Sequence, residues 1–285
     1  ELQAQLGATD GAGRITHERF GNGADTHRDY YDDRGRVEHI ETERSGVTVQ
    51  DLWYTYDAKQ NLSTRKDERQ GQKETFAYDA LDRLTCATVP GVKGYAGGAK
   101  GDCSVSYDYD SHGNITNKSD VGDYVYDPAR PHAVVQAGSD TYAYDDVGNQ
   151  TSRPGTTVTY RAFDLPEDIT VGRHGQPVHF DYDGDGVRIR KTSAQMETIS
   201  VGDLYERVTN TQTGSVAHRY YVKSSERVVA VVERGAAPPD VTRYMHVDHL
   251  GSLDVLTNET GAAVEQRSYD AFGARRPASW GPPPS

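Results

Sequence analysis

Asp181-Tyr182-Asp183-Gly184-Asp185-Gly186 is the stretch that most resembles a metal site. It matches D-x-D-x-D-G, the first half of a calcium loop, in which alternate carboxylates converge on one hard cation. The twelfth position of such a loop carries a bidentate Glu; here it is Thr192. The residues that follow, Val187 to Lys191, read as a strand. The stretch is therefore expected to be a structural turn, with Asp181, Asp183 and Asp185 as a weak calcium candidate.

His246-Val247-Asp248-His249 could hold a metal or exchange protons. Strand alternation puts His246 and Asp248 on one face and His249 on the other. Three ligands on one face are thus not available locally, and Asp248 is expected to cap a turn at Leu250-Gly251. Carboxylate pairs of the kind glycosidases use occur at Asp32-Asp33, Asp108/Asp110 and Asp145-Asp146, but no pair stands out among so many acidic turns. No Gly-x-Ser-x-Gly elbow, phosphate loop or dinucleotide fingerprint is present. Two cysteines, Cys86 and Cys103, bracket a Gly-rich stretch. A disulfide there is expected, with two free thiols as the alternative. Two lone thiols without nearby histidines are a poor metal set.

The elements that carry these residues are set by a repeat. Tyr-Asp occurs nine times in 285 residues, where chance would give about two. The fullest units place an aromatic two residues before the Tyr: Tyr54/Tyr56, Phe76/Tyr78, Tyr107/Tyr109, Tyr124/Tyr126, Tyr142/Tyr144 and Phe180/Tyr182. Residues two apart share one face of a strand, so these aromatics are expected to form a column across the sheet through cross-strand pairs. Asp57, Asp79, Asp110 and Asp145 then fall where the strand stops and are expected to close the turn through backbone N–H groups two residues on. Gly113 and Gly148 supply the positive φ that such turns need. New strands are expected to begin at Val37, Leu62, Leu84 and Ile115, making each unit a β-hairpin. Asp127-Pro128 to Pro131 reads as an irregular turn and Gly235 to Asp240 as a loop.

Composition agrees with this. Only 35% of residues are apolar, too few for a compact two-layer core but enough for stacked units that each bury one modest face. The net charge of -12 argues against nucleic acid, which needs a basic surface. The longest apolar run, Val228 to Val232, is far too short to span a bilayer. No cofactor is expected. The sequence opens on Glu1 without a signal peptide and reads as an internal or processed piece of a longer protein. The fold class is all-β with almost no helix: residues 1–276 as a hairpin array, and 277–285 as a Pro-rich tail or linker that cannot be a central strand.

The Tyr-Asp-x-x-Gly-Asn units resemble the YD repeats of Rhs proteins. The stretches Tyr244-Met245-His246-Val247-Asp248-His249-Leu250-Gly251 and Tyr269-Asp270-Ala271-Phe272-Gly273-Ala274-Arg275-Arg276 are similar to the opening of the Rhs-repeat-associated core. So are units at Tyr126 to Ala133 and Tyr182 to Lys191. The resemblance covers residues 20 to 276. It implies a spiralling β-sheet shell, or part of one, that holds a C-terminal effector, as in bacterial polymorphic toxins and insecticidal toxin complexes. Its partners would be the rest of the shell, or further copies joined through sheet edges, and the enclosed effector. Its place would be secreted or at the cell surface. Family members often cleave themselves at an Asp-Pro motif after the core. Asp127-Pro128 does not sit in such a motif and no toxin domain is visible, so neither activity is assigned here. Two other functions compete: carbohydrate binding through exposed Tyr rows, and a hydrolase with a carboxylate pair.

Overall fold

The computed structural model describes residues 5–91, 101–172, 175–224, 227–235, 240–277 and 280. Among them there are 28 strands and no helix. The strands follow one another in chain order in two 13-stranded antiparallel sheets, the first from Gln5–Thr9 to Asp140–Thr141 and the second from Ala143–Tyr144 to Ala263–Gln266. A two-stranded ribbon, Ser268–Tyr269 with Arg275–Arg276, comes last. The chain divides into two compact units. One holds Glu1–Tyr107, Val222–Val231 and Val241–Ser285; the other holds Asp108–Tyr221 and Val232–Asp240.

Strand boundaries fall where the repeat puts them. Tyr56, Tyr78, Tyr109, Tyr144 and Tyr182 each end a strand. Val37, Leu62, Leu84 and Ile115 each begin one. Two local expectations change. Asp127 to Arg130 is a tight hairpin turn, not an irregular one, because Asp127 Oδ1 accepts the Ala129 N–H at 2.8 Å and Oδ2 holds Arg130. The aromatics do not pair across adjacent strands: Tyr54 faces Arg65, Tyr56 faces Leu62 and Phe76 faces Ala87. The strand after each of these Tyr-bearing strands carries no aromatic, so no continuous aromatic column forms across them.

The first unit has two small apolar cores. One gathers Phe20, Ala24, Val229, Ala230 and Tyr244; the other gathers Ile40, Leu52 and Tyr54, with Val37, Tyr56 and Leu62 against them. The first of these is built from residues more than two hundred positions apart. Residues of Val228–Arg234 and Val241–Val247 thus return to the start of the chain. The expected loop at Pro238-Pro239 lies outside the described residues.

Candidate functional site

The repeat residues form a ladder of turns. In the turn opened by Asp57, Oδ1 accepts the N–H of Lys59 at 2.8 Å and of Asn61 at 2.9 Å. Asp79, Asp110 and Asp145 repeat this with their own second and fourth residues. The bond two residues on is the one expected; the bond four residues on is new. The second carboxylate oxygen is used too. Asp79 Oδ2 holds Arg83 Nε at 2.7 Å, and Asp110 and Asp145 hold the Asn114 and Asn149 amides. The Arg83 amide and guanidinium keep the Asp79 carboxyl below the usual carboxylate range. These Asn side chains also reach the next turn: Asn61 Nδ2 donates to Asp82 Oδ1 at 3.0 Å and Asn149 Nδ2 to Asp164 Oδ1 at 2.8 Å.

Gly113 and Gly148 have φ of 88° and 101° at the fourth turn position. The same position holds Gln60 at φ 78°, a conformation that costs a non-glycine residue about 1–2 kcal/mol. Gln60→Gly is therefore expected to raise stability by about 0.5 kcal/mol, since glycine's own chain entropy returns part of the gain. Urea midpoints of the two proteins check this; a lower midpoint for the glycine variant would reject it.

The two aromatics of each unit have different roles. The first is mainly packing: Tyr54, Tyr107 and Phe180 are buried. The second is a clamp. Tyr56 donates its hydroxyl proton to the Val37 carbonyl at 3.1 Å, Tyr78 to Leu62 at 3.0 Å, Tyr126 to Ile115 at 2.8 Å and Tyr182 to Pro166 at 2.8 Å. In every case the acceptor is the first residue of the preceding strand. Tyr144 clamps Val134, inside strand Arg130–Ala137, two strands earlier in the chain. Burial pushes the Tyr56 hydroxyl up to about 12, so it stays a donor at any physiological pH. An Arg from the preceding turn often lies over the ring, as Arg36 does over Tyr56 and Arg130 over Tyr144. Tyr78→Phe is expected to lose about 0.5–1.5 kcal/mol by stranding the Leu62 carbonyl. Thermal unfolding of the pair measures this, and unchanged stability would mean the clamp is idle.

The chemical candidates are occupied by the same scaffold. Asp183 Oδ1 closes its turn on the N–H groups of Asp185 and Val187. Asp181 is turned to Arg190 at 2.7 Å and Arg161 at 3.1 Å, so it does not converge with Asp183. Among the described residues no group of three His, Cys, Asp or Glu side chains could hold a metal. Asp248 caps its turn on Leu250 and Ser252 N–H. Asp110 and Asp145 are turn closers, and Asp33 pairs with Arg34 at 3.0 Å. Cys86 and Cys103 are joined, with Cα atoms 5.5 Å apart. The stretch 92–100 between them lies outside the described residues.

What the sequence did not display is a buried polar seam within the first unit, where the C-terminal stretch meets the early strands. Gln50 Nε2 donates to Asp254 Oδ2 at 2.8 Å and to the Val247 carbonyl at 3.3 Å. Burial raises the Asp254 carboxyl to about 7. Glu74, 2% exposed, accepts both ends of the Arg276 guanidinium at 2.7 and 3.2 Å and Arg65 Nε at 2.7 Å. Arg65 Nη2 also donates to the Tyr269 carbonyl. Trp280, 5% exposed, lies against both cations, with Arg276 4.8 Å and Arg65 5.5 Å from its ring. Glu18 binds Arg28 at 2.6 Å and Arg227 at 2.8 Å. Asn22 donates to Thr257 Oγ1 and to the Asn258 carbonyl, each at 2.9 Å. Turn tips of the returning stretch also sit on early aromatics: His249 lies 4.0 Å from the Tyr54 ring and Phe272 5.0 Å from Tyr107. Trp280, placed by sequence in a tail, is thus part of the packed unit; residues 278–279 and 281–285 lie outside the described residues.

A hairpin ladder sealed by its own C-terminal stretch has a known counterpart. The sequence matches the Teneurin YD-shell family over residues 26–276. The chain belongs to that family. The YD shell is a structural fold, and the ladder, clamps and seam are what build it here. No curated protein matches the chain. Among solved structures, the Tc holotoxin pore of Photorhabdus luminescens, with a mutated TccC3, superposes with a TM-score of 0.74 at 17% identity, over 95% of this chain and 15% of that one. The TcdB2–TccC3–Cdc42 structure gives 0.73 at 18% identity, over 94% and 16%. The TcdB2–TccC3 structure gives 0.73 at 17%, over 94% and 16%. At such identities the likeness is one of fold. The chain spans 15–16% of the length of those chains.

Proposed function

We propose that this YD-shell chain is a wall segment of a larger shell that encloses or displays a C-terminal effector, and that it carries no reaction of its own. The observation that carries the reading is the use made of its polar side chains. The turn aspartates, the clamp tyrosines and the seam carboxylates are each committed to holding strands together. A fold likeness over nearly the whole chain to structures containing TcdB2 and TccC3 supports a shell that works with an effector-bearing chain. The remaining wall would come from further YD-type strands of the same protein. The Cys86–Cys103 bond fits a secreted or cell-surface setting. Among the described residues no helix is long and apolar enough to cross a membrane. The clamp hydroxyls are bonded to backbone, so the Tyr rows do not offer a free polar edge to sugars.

The test is protease protection of the parent protein. With the shell intact, the region after the core is expected to survive a protease dose that digests it when expressed alone. Digestion at the same rate in both settings would reject encapsulation.

A further inference from the structure

Two histidines in the seam, His246 buried and His249 half-buried, are not needed for a wall. His246 is 1% exposed, and its Nδ1 meets no partner. Its Nε2 shares a 3.0 Å hydrogen bond with Thr257 Oγ1, which also accepts Asn22 Nδ2. The Phe20 ring stands 4.6 Å away. The charged groups facing it are Glu18 from strand Ile15–Arg19, Arg28 from strand Asp25–Tyr30, and Arg227 just before strand Val228–Arg234. One carboxylate against two guanidiniums leaves a net positive charge beside the imidazole before it gains any proton. His249 repeats the arrangement. Its Nδ1 is also unpartnered and its ring lies on Tyr54. Asp248 on its own turn, Arg65 from strand Leu62–Asp67 and Arg36 just before strand Val37–Arg44 face it.

We propose that His246 and His249 make the docking of the C-terminal stretch Val241 to Trp280 an acid-labile clasp. Protonation of the two imidazoles drives this stretch off the early strands while the hairpin ladder itself stays paired. Such a clasp would work whatever the shell encloses.

Burial, and then the Arg227 charge, pushes His246 down to about 3; burial pushes His249 down to about 4. An imidazole whose pKa falls on docking binds fewer protons docked than free. Above about pH 6.5 both are neutral in either state, and docking loses nothing. As pH falls from about 6.5 toward 4, the released stretch takes up two protons that the docked one refuses, and docking weakens. Asp254 opposes this. Faced by Gln50, Asp67, Asp248 and Arg69, its carboxyl stays protonated when docked up to about pH 7, so it favours docking over the same range. Two imidazoles against one carboxyl leave a net uptake of one proton on release. The docking equilibrium therefore falls about tenfold per pH unit in this window.

Trp280 reports the event, since it is buried in the seam and Trp53 is the only other tryptophan. In the full chain carrying Trp53→Phe, acidification from about pH 7.5 to 4.5 is expected to red-shift Trp280 emission and open it to acrylamide, with the β-sheet circular dichroism unchanged. Hydrogen exchange should rise in 241–277 and not in 150–210. His246→Gln or His249→Asn alone brings the net proton uptake to about zero and should flatten the profile. Parent Trp280 emission that is constant across the range, or variants that keep the parent's pH profile, overturns the clasp. Should the variants not fold, imidazole Cε1–H titration by NMR decides on the parent. The two rings must stay neutral until Trp280 is released; ordinary titration with Trp280 still buried overturns the proposal.

Discussion

Glu74→Ala is expected to cost the first unit about 3–5 kcal/mol, because it removes the single carboxylate between two sequestered guanidiniums. Arg276, 4% exposed, keeps its Nε bond to Ser268 Oγ at 3.0 Å and the Trp280 ring but no carboxylate, and Arg65 loses its close partner. Arg276→Met is milder, since Arg65 still neutralises Glu74 at 2.6 Å. The double change Glu74→Leu with Arg276→Met removes both charges of the most buried pair and is expected to recover most of the loss, as buried pairs often yield to apolar replacements of like volume. Urea unfolding followed by Trp280 emission measures all three, because Trp280 packs on Arg276. A Glu74→Ala cost under about 1 kcal/mol would mean that water enters the seam and solvates the cations. The order of the three variants separates a charge effect from a size effect, since Leu and Met keep the volume that Ala gives up.

How far the sequence reached depends on how local each contact is. The Asp57 turn closes within five residues, so its residues are legible in a short window. The strand starts at Leu62 and Ile115 follow from the same window. The clamp from Tyr78 to Leu62 spans sixteen residues and joins consecutive units. The distance from Tyr to acceptor varies, 19 residues for Tyr56 and 11 for Tyr126, so no fixed spacing displays the clamp in the sequence. Gln60, Asp82 and Asp164 stand where other turns have glycine, and only the register of the repeat reveals that their φ is positive. The seam is different in kind. Gln50 meets Asp254 and Glu74 meets Arg276 across about two hundred residues, and neither pair leaves any periodic trace. His246 shows why pattern alone was insufficient. Alternation predicts a face shared with Asp248, but the register shifts between His246 and Val247 and the strand ends there, and no pattern shows that His246 is covered by Phe20, Glu18 and Arg28.

Phe20 marks the place where the repeat gives way to the seam, and Phe20→Ala is expected to cost about 3–5 kcal/mol. It opens a turn of the same hydrogen-bond form as the others, with its N–H on the Ala24 carbonyl at 2.8 Å and Gly23 N–H on its own carbonyl at 2.9 Å. At Asp57, Asp79, Asp110 and Asp145 that position holds Asp, whose carboxylate satisfies the turn amides. Here Asn22 Oδ1 takes the Ala24 N–H at 3.1 Å instead, which frees the opening position for an apolar side chain. That side chain, 2% exposed, fills the core with Val229, Ala230 and Tyr244 and stands edge-on to Tyr244 at 6.4 Å. Restoring the repeat with Phe20→Asp should therefore be worse than alanine. It creates the same cavity and adds a carboxylate buried among apolar groups. Phe20→Leu should recover more than half of the loss, since it keeps most of the buried volume. Hydrogen exchange in 228–234 and 241–247 provides the readout, because those strands pack on the ring. If Phe20→Asp instead matched or exceeded the parent in stability, the turn would outweigh the core at this position, and the C-terminal stretch would be held by its polar contacts alone.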